Sequence, residues 1–273
     1  MHKFRSLAKR FPIIFSVIVI SISMWLIFLP DDGSLGWGLI FTNLKGRFAV
    51  SALLVALMFL LGMGKGLFRV SGIIKGFLDG WVLLLIGAVY LVVQVLSLDF
   101  SAFGEGLNAL ILMAFLFDMF CTGLFEEVLM RGVVFQSMVS SWRDKKNGIL
   151  ISAIVSSILF GLVHLLNYTN GLLIATMTQI IFSTFIGIYL CGVFLKRGNM
   201  WSVILLHSVF DFLTLFFQQE FKEPPKVVEA ASTVTDLPLS MGLIMIMATL
   251  PLCILGIRSI RRYANINKPI ELS

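Results

Sequence analysis

The sequence predicts an all-α protein built as a polytopic transmembrane helical bundle, and three observations carry that expectation. Hydrophobic residues make up 58% of the 273-residue chain and charged residues 13%, with a mean hydropathy of +0.98, far outside the makeup of a soluble domain. Apolar runs long enough for a helical span of about twenty residues recur from one end to the other and leave no room for a separate soluble unit. The runs are continuous rather than alternating, and they far exceed the roughly ten residues of a barrel strand. The chain reads as one integral domain, residues 1–273, in a cell membrane.

About eight spans follow in order. The first, Phe11–Leu29, comes after MHKFRSLAKR. Together they have the basic and apolar regions of a signal peptide, but FLPDDG offers no small-residue cleavage site, so a retained span is expected. Phe48–Met63 and Gly76–Leu98 come next, and Leu107–Val133 carries the first cluster of charges inside an apolar run. Ile149–Leu166, Leu172–Leu195 and Trp201–Phe217 complete a polar-bearing core from about 107 to 217. Then comes the only long polar connection, Gln218–Pro238, where Pro224 and Pro225 break any helix. Leu239–Ile257 is the last span.

Counted from a cytoplasmic start, all but four of the 21 Lys and Arg fall in the inner set of loops, the exceptions being Lys45, Arg47, Lys222 and Lys226. Positive charge collects on the cytoplasmic side of membrane proteins, so both termini are expected there. The net charge of +6 is then a matter of topology and of contact with anionic lipid, and no nucleic-acid partner is implied. Cys121, Cys191 and Cys253 lie far apart in apolar runs and are odd in number. Neither a disulfide framework nor a CxxC metal site is indicated, and all three read as packing residues.

Ionisable groups inside spans cost a few kcal/mol each, so they face the bundle interior and mark function. The candidates are Asp79, Asp118, Glu126, Glu127, Arg131, His164, His207 and Asp211, with Gln94 and Gln179 as uncharged company. In LFEEVLMRGVVF, Glu127 and Arg131 are four apart on one helix face with the acid first, the favoured order for a pair. Glu126 sits 100° round the helix from Glu127, so one carboxylate can be paired while the other stays free as a general base. Alone, the stretch reads equally well as a boundary cluster with Arg131 snorkelling to the headgroups. Two further sites favour the functional reading. Phe160 and His164 are four apart in SSILFGLVHLLN, and His207 and Asp211 have the same spacing in LLHSVFDF. A carboxylate four residues from an imidazole can orient it and aim its other nitrogen at a substrate or ion.

EEVLMR (Glu126–Arg131), FGLVH (Phe160–His164) and HSVFD (His207–Asp211) resemble, in order and spacing, the three motifs of the CAAX-protease and bacteriocin-processing (CPBP) family of intramembrane proteases, also called the Abi family. The resemblance covers the core from about Leu107 to Phe217 and leaves the first three spans and the last outside it. It implies peptide-bond hydrolysis in the membrane by a glutamate-activated water, with a peptide or membrane-protein segment as substrate. Glu126 would be the general base, and His164 would help hold the water. His207 and Asp211 would stabilise the oxyanion, supported by Glu127, Arg131 and Phe160. Family members carry Asn or Asp at the position of Asp211, and an ionised Asp donates poorly to an oxyanion.

No cofactor is expected on this reading. Zinc is the alternative, because Glu126, His164, His207 and Asp211 form a set that could hold it with an open water position. No HExxH is present, however, and no closely spaced pair would anchor the ion. Two other classes compete with a protease: a membrane scaffold or regulator that binds a sensor kinase or bacteriocin without cutting, and a proton-coupled transporter using Asp79, Asp118 and Glu126. The transporter lacks a matched pair of broken helices. One geometric demand remains. His207 lies about 9 Å and His164 about 22 Å from the cytoplasmic starts of their helices at 1.5 Å per residue. For both to meet Glu126, the His164 helix must tilt, start in a cytoplasmic extension, or end early in a non-helical stretch lining the cavity.

Overall fold

The computed structural model describes residues 2–28, 44–96, 109–168, 172–216 and 236–264. All regular structure among them is helical. A basic helix α1 (His2–Arg10) leads into α2 (Pro12–Ile27). Pro12 stands in the first turn of α2, where a missing N–H removes no hydrogen bond. Helix α3 (Leu44–Leu61) ends at Gly62, whose φ of 78° supports the two reversed bonds Gly62 N to Phe59 O and Met63 N to Met58 O, a Schellman-type stop. Arg5 Nε donates to Leu60 O in the same turn at 2.9 Å, which ties α1 to the end of α3.

The expected single span Gly76–Leu98 is instead two helices, α4 (Ile73–Asp79) and α5 (Trp81–Leu96), bent by 63°. Long-range contacts converge on the break at Asp79 and Gly80. Asp79, at the break, takes Lys196 Nζ at 2.6 Å and Arg197 Nε at 2.5 Å, and its carbonyl accepts from Tyr189 OH at 3.2 Å. Asn199 Nδ2 donates to the carbonyls of Arg69 and Ser71 ahead of α4, and Ser202 Oγ donates to Ile73 O. Asp79, one of the ionisable candidates, is thus occupied by Lys196 and Arg197, which are engaged rather than free loop charges.

The fourth expected span also differs. Helix α6 (Ala109–Glu127) passes directly into a π-helical segment, Val128–Phe135, and then into α7 (Gln136–Trp142), so helical backbone runs nine residues past the expected end at Val133. Every residue of the π segment is buried. It touches α2, α3, α8, α9 and α10, and with Met58, Phe194, Met200 and Ile204 it forms the centre of the core.

Helix α8 (Gly148–Val163) starts after Asn147, a non-glycine residue at φ 59°, and ends where a 3₁₀ turn, His164–Asn167, begins. Helix α9 (Leu173–Arg197) closes on Gly198, and α10 (Met200–Leu215) is capped by Asn199, which accepts from Ser202 N at 3.2 Å. Asp236 carries the chain into α11 (Leu239–Ala264) and accepts from Ile174 N and Ala175 N at the start of α9. Of the expected connection Gln218–Pro238, only Asp236, Leu237 and Pro238 fall among the described residues.

Three helices, Gly148–Asn167, Leu173–Arg197 and Leu239–Ala264, are long and apolar enough to cross a membrane, and a fourth candidate is the bent pair α4–α5. Apolar side chains such as Trp25, Leu96 and Ile244 face outward while Asp118, Glu127, Arg131 and His207 are buried. That inversion of the soluble pattern suits a lipid surround. The three cysteines are free, two of them buried.

Candidate active site

The site forms where α6 packs against α10. A Cβ on Gly123 would collide with Ser208 Oγ and stand 2.9 Å from Ile204 O, so the absence of a side chain there lets the two backbones meet. One turn further along α6, Glu127 reaches His207, which stands between Ile204 and Ser208 on α10.

Glu127 is the most constrained group. Its Oε1 accepts from Arg131 Nη1 at 2.8 Å and from His207 Nδ1 at 2.7 Å, and its side chain is fully buried. Arg131 Nη2 adds a contact to Gly187 O on α9 at 3.3 Å, and its guanidinium lies 5.0 Å from the centre of the Phe160 ring. Glu127 Oε2 and Arg131 Nε are buried and have no hydrogen-bond partner among the described residues. The pair is neutral as a unit and leaves donor and acceptor capacity on its far sides.

Phe160 joins the two histidines. Its ring is edge-on to His164 at 5.1 Å and to His207 at 5.9 Å between centroids. His164 Nδ1 lies 3.0 Å from the carbonyl of Phe160, one turn back. A carbonyl can only accept, so Nδ1 carries the hydrogen and Nε2 keeps a lone pair. Of the three ways to bring His164 to the site, the structure contains the early end: the α-helix stops at Val163 and His164 opens the 3₁₀ turn.

His207 is held differently from the expectation. The residue that orients it is Glu127, eighty positions away, and not Asp211. With Nδ1 donating to Glu127, Nε2 faces Glu126 Oε2 at 3.4 Å and Asp211 Oδ2 at 3.5 Å. Both distances are long for a hydrogen bond. Glu126 and Asp211 retain side-chain exposures of 24% and 18% against none for Glu127. The two adjacent glutamates have thus separated into one locked carboxylate and one open to a cavity.

That cavity measures about 490 Å³, and Glu126, His164, His207 and Asp211 all line it. Arg47, Thr122, Asn167 and Gln179 line it as well. Arg47, counted above with the outer-loop charges, belongs to α3 and is paired with Asp118 at 2.6 Å. Asn167 Nδ2 donates to Gln179 Oε1 at 3.0 Å. Sequence reading did not single out Arg47, Thr122 or Asn167. Thr122 could have been found from its position one turn before Glu126, whereas Arg47 enters from another helix. Among the described residues, no group of three His, Cys, Asp or Glu side chains is arranged to hold a metal ion.

Residues 108–213 match the family model described as type II CAAX prenyl endopeptidase Rce1-like. The matched segment contains all three motifs, and the resemblance drawn from them holds over it. No curated protein and no solved structure matches the chain.

Proposed function

We propose that this chain is an intramembrane endopeptidase of the CAAX type that hydrolyses a peptide bond with a water activated by Glu126. The observation that carries the reading is the division of the glutamate pair. Glu127 is occupied by Arg131 and His207, while Glu126 opens to a cavity that also receives His164 and Asp211. A water between Glu126 and His164 Nε2 gives its proton to the Glu126 carboxylate, and its oxygen attacks the scissile carbonyl carbon. His207, with a proton on Nε2, and Asp211 in its carboxylic acid form donate to the oxyanion. Glu126 then passes its proton to the departing amine nitrogen. The peptide or membrane-protein segment reaches this cavity within the bilayer.

The reading takes no cofactor, with zinc as the alternative, and Asp211 separates the two. A carboxyl group donates to an oxyanion only while protonated, whereas an amide of the same shape donates at any pH. Without metal, Asp211→Asn should keep or raise activity and extend the pH optimum to more alkaline values. If Asp211 were a metal ligand or its partner, the change would cost about 10–100-fold. Turnover against pH, measured with bound zinc per chain, is the test. A sharp loss that excess zinc restores would overturn the metal-free form.

We extend the proposal to topology: eight spans in a cell membrane with both termini cytoplasmic, supported by the eight apolar segments that are helical here, one of them bent. A reporter active only in the cytoplasm should work when fused to either terminus. Silence at one end, with the fusion protein present, overturns this.

A further inference from the structure

Arg47 stands in the first turn of α3 with its guanidinium at the cavity wall. A single nitrogen, Nη1, makes both of its side-chain bonds, to Asp118 Oδ1 at 2.6 Å and to Thr122 Oγ1 at 3.0 Å. Thr122 Oγ1 in turn donates to Asp118 O at 2.9 Å, which fixes that hydroxyl as an acceptor for arginine. The group is anchored at one corner. A guanidinium has five N–H donors in a rigid plane, and those on Nε and Nη2 have no partner among the described residues. An ion pair serving only to hold α3 against α6 would close the fork on both oxygens of Asp118. Here one oxygen is used, and the arginine is the more exposed partner at 24% against 7%. Unpartnered donors in a membrane-embedded cavity call for an acceptor, and the planar fork matches a carboxylate bidentately.

Position narrows the acceptor. Thr122 is one turn before Glu126 on the same face of α6, about 6 Å along the axis, and an extended peptide covers that in about two residues. We infer that Arg47 is a specificity-determining residue that binds a carboxylate of the peptide substrate, two to three residues from the bond cleaved. This rests on the peptidase reading for its ligand class. The carboxylate is either the free C-terminus of the substrate or an Asp or Glu side chain near the cut.

The test reads binding without turnover. Full-length protein carrying Glu126→Gln is purified in detergent and photolabelled with an apolar pentapeptide bearing an N-terminal benzophenone. Three forms of the peptide are compared: the free C-terminal acid, its amide, and the amide with Glu as last residue. The acid should label about ten-fold more than the amide, the discrimination of one charge-assisted contact. The ratio should fall to about one in Arg47→Gln. Because that change strips Asp118 of its partner, the double variant Arg47→Gln/Asp118→Asn is run beside it and should lose the same discrimination at unaltered thermal stability. Equal labelling by all three peptides with Arg47 intact overturns the inference, as does discrimination of either carboxylate-bearing peptide from the plain amide that survives both variants. Labelling by the Glu-terminated amide supports a side-chain source, and its failure supports the C-terminus. A protein that discriminates the acid but never cleaves any peptide with Glu126 restored would refute the peptidase reading alone.

Discussion

Glu126→Gln is expected to lower turnover by about 10²–10⁴-fold, the usual contribution of a positioned general base, while the protein stays inserted, monodisperse and as stable as before. The geometry separates the two effects. Glu126 has no hydrogen bond to a described residue, its closest ionic neighbour is His207 Nε2 at 3.4 Å, and a quarter of its side chain is exposed. An amide of the same shape leaves packing intact but cannot take a proton from water. The readout is a comparison of fragments in whole membranes from cells making wild type or the variant, alongside size-exclusion profiles in detergent. An unchanged fragment pattern in a well-folded variant would remove Glu126 from the chemistry and favour the scaffold reading.

Glu127→Gln should fail in a different way, with loss of stability as well as activity. The side chain is fully buried and one oxygen serves both Arg131 and His207. Removing the negative charge leaves the guanidinium of Arg131, which is 1% exposed, without its counter-ion. Breaking a buried pair in this way costs about 3–5 kcal/mol. An amide can also present its NH₂ to His207 Nδ1 and turn the ring. The thermal midpoint in detergent should therefore drop together with activity. A variant with normal thermal stability would refute the assignment of Glu127 as the structural member of the pair.

What could be read before the structure was whatever lies within one helical turn. Pairs four residues apart, Glu127 with Arg131 and Phe160 with His164, share a face by helix geometry alone, and the structure shows the contacts between them. The eight apolar segments were legible because hydropathy acts over twenty residues at a time. The partner of His207 was not, since Glu127 lies eighty positions away and competed with Asp211, which is at the tempting spacing of four. Arg47 was hidden for the same reason: its ties to Asp118 and Thr122 span 71 and 75 positions. At the bend between α4 and α5, Lys196 and Arg197 reach back to Asp79, and no local pattern announces that contact. Nor does composition distinguish a π turn from an α turn. Val128–Phe135 is apolar except for Arg131 and would suit either.

The wider winding of Val128–Phe135 makes chain length itself part of how the candidate site is built. A π turn takes up an additional residue per turn relative to an α turn, so the segment behaves as a spacer whose phase is set by counting rather than by chemistry. Were the segment to relax to α geometry at its present length, the surplus residue would turn everything beyond Phe135 by about 100° relative to Glu126 and Glu127. Gln136 Nε2, which reaches Met63 O at 3.4 Å beyond the end of α3, would swing away from it, and Ser137 would leave Ser16 on α2. The same eight residues could exchange one aliphatic side chain for another of similar volume at modest cost. They could not relax to α winding at their present length without misaligning the two halves of the longest continuous helical run among the described residues.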